Sequence, residues 1–119
     1  MDEELERMTP GTIDGVGQIV IVEKESTIPH FHIIKSDGTK VSIMIQESKY
    51  MPGEKNSLTP DECKKLNEWT RGVKTDWWNK GDPNWYHMIL CWGSLYNGYE
   101  IIYDQKCLDS IPDYTTINH

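Results

Sequence analysis

The dipeptide Asp37-Gly38 limits the folds open to this chain more than any other feature. It lies between Phe31-His32-Ile33-Ile34 and Val41-Ser42-Ile43-Met44-Ile45, two short runs rich in β-branched side chains. Glycine adopts positive φ without a Cβ clash, and Asp-Gly is a sequence that tight hairpin turns prefer. The chain must therefore reverse within a few residues and pair the flanking runs as antiparallel strands. The predicted strands run from His30 to Lys35 and from Lys40 to Gln46. Another strand is predicted from about Val16 to Lys24, around the β-branched run Ile19-Val20-Ile21-Val22.

A two-residue loop would set the hairpin register. Ser36 would face Thr39, Ile34 would face Val41, His32 would face Ile43 and His30 would face Ile45. Side chains alternate between faces along a strand. His30, His32, Ile34, Val41, Ile43 and Ile45 would then share the face that helices cover, with Phe31, Ile33, Ser42 and Met44 on the other.

Two helices follow. Thr59 is a good N-cap, Pro60 suits the first helical position, and Glu62 completes a capping box. Cys63, Leu66, Trp69 and Val73 make its apolar stripe. The second helix begins with Asp82 as N-cap and Pro83 next. Trp85, Met88, Ile89, Trp92, Leu95 and Tyr96 form its stripe, and Asn97-Gly98 stops it. Tyr99 to Tyr103 could add a short extended segment. The expected fold is α+β: three antiparallel strands followed by two helices packed on one face. Residues 1–12 are assigned to an acidic arm, 13–104 to the domain, and 105–119 to a tail that packs loosely or projects.

The chain has 119 residues, room for one domain. Its formal net charge is −7, which disfavours generic DNA coating because phosphate-backbone affinity needs excess Lys and Arg. No apolar run approaches the ~20 residues of a membrane span. The start Met1-Asp2-Glu3-Glu4-Leu5-Glu6 lacks the basic and apolar regions of a signal peptide. A cytoplasmic location, in a bacterial cell or a phage-infected host, is expected. Cys63, Cys91 and Cys107 contain no CxxC pair and are expected to be reduced and partly buried.

Chemistry could reside in Pro29-His30-Phe31-His32. Histidines at i and i+2 on a strand point the same way, about 7 Å apart along the backbone. They could be structural, could act as acid and base, or could bind one metal with a third ligand from His87, Glu47, Asp14 or Asp37. None of these candidates sits at a recognised ligand spacing, and no metal ligand set is assigned. A second feature is aromatic. Trp77 and Trp78 lie between the helices beside Lys74 and Lys80, with Arg71 nearby. Residues 55–80 hold six basic and four acidic side chains, so this stretch is net +2 in an acidic chain. These residues could form a cation-rimmed aromatic surface for a ligand or partner.

Pro29-His30-Phe31-His32-Ile33, the following hairpin and Leu66-Asn67-Glu68-Trp69 on a helix together resemble a family of small bacterial and phage proteins. Its members carry a Pro-His-Phe-His-Val/Ile strand motif, and some belong to toxin–antitoxin-like gene pairs. Lys49-Tyr50 and Leu58-Thr59 look like the phage-type members. Ile28 departs from the second proline often found there, and the aromatic-rich stretch after residue 76 is unusual. The resemblance implies an accessory protein of a phage or mobile element but brings no settled activity and no cofactor.

The expected function is binding, to a host protein or a small anionic ligand. The alternatives are a toxin-like RNase or a metal-dependent hydrolase using His30 and His32. A homodimer is a further expectation, because a short sheet has edges to cover.

Overall fold

The computed structural model describes residues 7–22, 28–73, 81–95 and 111–119. Four strands, β1 (Arg7–Ile13), β2 (Gly17–Val22), β3 (His30–Lys35) and β4 (Lys40–Met44), form an antiparallel sheet in the order β1-β2-β3-β4. Helices α1 (Pro60–Arg71) and α2 (Asn84–Leu95) follow. The α+β class is as expected, but the sheet has one strand more than the sequence predicts.

The additional strand, β1, uses residues assigned to the N-terminal arm. Thr9-Pro10-Gly11 resembles a breaker, yet it is accommodated on an edge strand. The register shifts between Met8 and Gly11, as in a β-bulge. Proline is tolerated at such places because its nitrogen has no ladder bond to lose.

The β3–β4 turn also corrects the expected register. The Lys35 N–H donates to the Thr39 carbonyl, and the Gly38 N–H donates to the Lys35 carbonyl. Ser36, Asp37 and Gly38 therefore make a three-residue loop, with Gly38 at φ 88°. Asp37 accepts the Thr39 N–H at 2.9 Å. His30 consequently pairs with Met44, Phe31 with Ile43, His32 with Ser42 and Ile33 with Val41. Shifting register by one residue exchanges the faces of a strand. The histidines thus share their face with Ser42 and Met44, while Phe31 and Ile33 share theirs with Val41 and Ile43.

The all-apolar face builds the main core. Ile19, Ile21, Phe31, Ile33, Val41 and Ile43 are fully buried. From α1, Leu66 and Cys63 join this core, and Trp69 packs against it. Lys35, on the same face as Phe31 and Ile33, bridges Glu62 of α1 at 2.9 Å. The expected Thr59 capping box is present in both directions. Val73 does not join the stripe: it follows the C-cap Gly72 and is 54% exposed.

Helix α2 starts at Asn84, just after the expected Asp82-Pro83 entry. The Asn84 backbone N–H donates to Gly72 O, and its side-chain amide donates to Trp69 O at 2.8 Å. These bonds fasten the start of α2 to the end of α1. Trp85, Met88, Ile89 and Trp92 are buried as expected, and His87 and Cys91 are buried with them. Among the described residues, no helix is long and apolar enough to cross a membrane.

Candidate functional site

The two strand histidines lie close together. Their ring centroids are 5.0 Å apart and their planes meet at 79°. Alternation on β3 puts both rings on one face, and pleating brings them together across Phe31. Each Nδ1 has a partner. The His30 Nδ1 donates to the Ile28 carbonyl at 2.8 Å. A carbonyl can only accept, so a neutral His30 carries its lone pair on Nε2. The His32 Nδ1 hydrogen-bonds the Ser42 hydroxyl at 2.7 Å, across the β3–β4 ladder. Trp92 of α2 packs edge-on to His30, with centroids 5.2 Å apart.

This arrangement is sealed. His30 is 3% exposed and His32 is 4% exposed. A general acid or base must reach the proton that it transfers. Two grooves open on the described surface elsewhere. One is lined by Asp14, Gly15, Gln18 and Ser36, and the other by Tyr50, Leu58, Cys63 and Ile117; neither includes His30 or His32. Among the described residues, no group of three His, Cys, Asp or Glu side chains is placed to hold a metal ion.

The proposed aromatic surface is only partly described. Lys74, Trp77, Trp78 and Lys80 lie outside the described residues. Arg71 is engaged within the chain: its guanidinium donates to Asn67 Oδ1 at 2.6 Å and to the Ile111 and Pro112 carbonyls at 3.3 Å. Two more cations of this region are also paired. Lys35 meets Glu62, and Lys65 meets Asp61 at 3.0 Å.

The contacts of Arg71 lead to a feature that the sequence does not reveal. Residues 111–119 run along the molecule as a strap that turns at Tyr114-Thr115, where Asp113 accepts the Thr115 N–H at 3.0 Å. Ile111 and Tyr114 are buried, and Tyr114 is 0% exposed. The Tyr114 hydroxyl donates to the Ile45 carbonyl at 2.6 Å, where the Trp85 indole N–H also donates. Its ring meets Phe31 at 6.1 Å between centroids, and its backbone N–H donates to Asn67 Oδ1. Further on, Tyr50 N–H donates to Asn118 O, and Asn118 N–H donates to Ser48 O. Asn118 pairs with Lys49 as a parallel bridge, and His119 stacks on Tyr50 at 4.4 Å. A loosely packed tail is therefore not what the structure has at residues 111–119.

Cys63 and Cys91 are both buried, and Cys63 carries a free thiol. Burial pushes the Cys63 thiol up, away from the thiolate that a nucleophile needs. Burial also raises Tyr50, whose hydroxyl accepts the Leu58 N–H. Neither family models, curated proteins nor solved structures provide a match to this chain.

Proposed function

We propose that this chain is a small binding protein, the accessory protein of a phage or mobile element that its strand motif suggests, acting in the cytoplasm on a host protein. The observation that carries this reading is the burial of His30 and His32, whose Nδ1 atoms are fastened to the Ile28 carbonyl and the Ser42 hydroxyl. A protein partner is favoured over a small anion. The net charge is −7, and Lys35, Lys65 and Arg71 are already engaged by groups of the same chain. In this reading the histidine pair is structural. It packs beside Trp92, and its two Nδ1 atoms are satisfied by a backbone carbonyl and a hydroxyl.

The test is an RNA-turnover assay of the purified full chain beside His30→Gln and His32→Gln, with and without added divalent metal. The expected result is no turnover by any of the three proteins and lowered thermal stability for both variants. Turnover of RNA by the wild type that both substitutions abolish would sink the reading in favour of the nuclease or hydrolase.

A further inference from the structure

We draw no further inference here: the strongest candidate, the groove of about 390 Å³ between the β1–β2 and β3–β4 turns that Thr12, Asp14, Gln18, Ile34 and Ser36 line, carries none because nothing in the structure shows what covers it.

Discussion

Glu54 carries more of the local architecture than its place in a loop suggests. Its carboxylate accepts the Ser42 N–H at 2.6 Å and those of Lys55 and Asn56 at 3.0 Å. Burial alone would raise its pKa, but these hydrogen bonds outweigh burial and hold the carboxyl below its ordinary value. A carboxylate depressed in the folded state stabilises above its unfolded pKa of about 4.3, and that contribution is lost as pH falls through the folded value. Glu54→Gln is therefore expected to lower the urea midpoint at neutral pH, with the gap from wild type narrowing below about pH 4. Equal gaps at pH 7 and pH 3 would show that the charge is immaterial. The histidines illustrate what was legible at this scale. Their shared face follows from spacing alone. Their partners do not, because Asp-Gly serves both two-residue and three-residue turns. One additional loop residue replaced Ile43 and Ile45 opposite the histidines by Ser42 and Met44.

Elements differ in how plainly their sequence announces them. Helix α1 was readable because its signals are local and reinforce one another. Thr59 Oγ1 accepts the Glu62 N–H at 3.1 Å, and Glu62 accepts the Thr59 N–H at 2.9 Å. Thr59→Ala is expected to cost about 1 kcal/mol in equilibrium unfolding; no loss would mean that Pro60 and packing suffice to start the helix. Strand β1 was hidden for the opposite reason. Its Thr9-Pro10-Gly11 has poor intrinsic strand propensity, and the strand is supported from outside. Trp69 presses so closely on Gly11 that a Cβ there would sit 2.8 Å from its ring. Such support is tertiary and leaves no periodic trace in the sequence.

The whole molecule is closed by contacts between its later segments and the middle of the chain. Arg71 joins α1 to the strap, and Tyr114 joins the strap to the end of β4. Nothing in Ile111-Pro112-Asp113-Tyr114 shows a period, so a buried tyrosine there could not be foreseen from pattern. Arg71→Ala is expected to loosen the strap before the core unfolds. Limited proteolysis should then cut near residues 111–119 faster than in wild type at a temperature where circular dichroism is unchanged. Cutting at the wild-type rate would assign the retention of the strap to its other contacts, those of Tyr114 and Asn118 among them. The two edges of the sheet are treated differently at this scale. Beyond β4, Met51 N–H donates to Ser42 O, Met44 N–H donates to Lys49 O, and the Asn56 amide donates to Lys40 O. Among the described residues, β1 is the remaining side from which the sheet could be lengthened. Two copies joined edge to edge through β1 would consume that side in both, and the combined sheet would end at two sealed borders. In such a pair, strand addition to the described sheet would end, which would close the simplest route to a fibre.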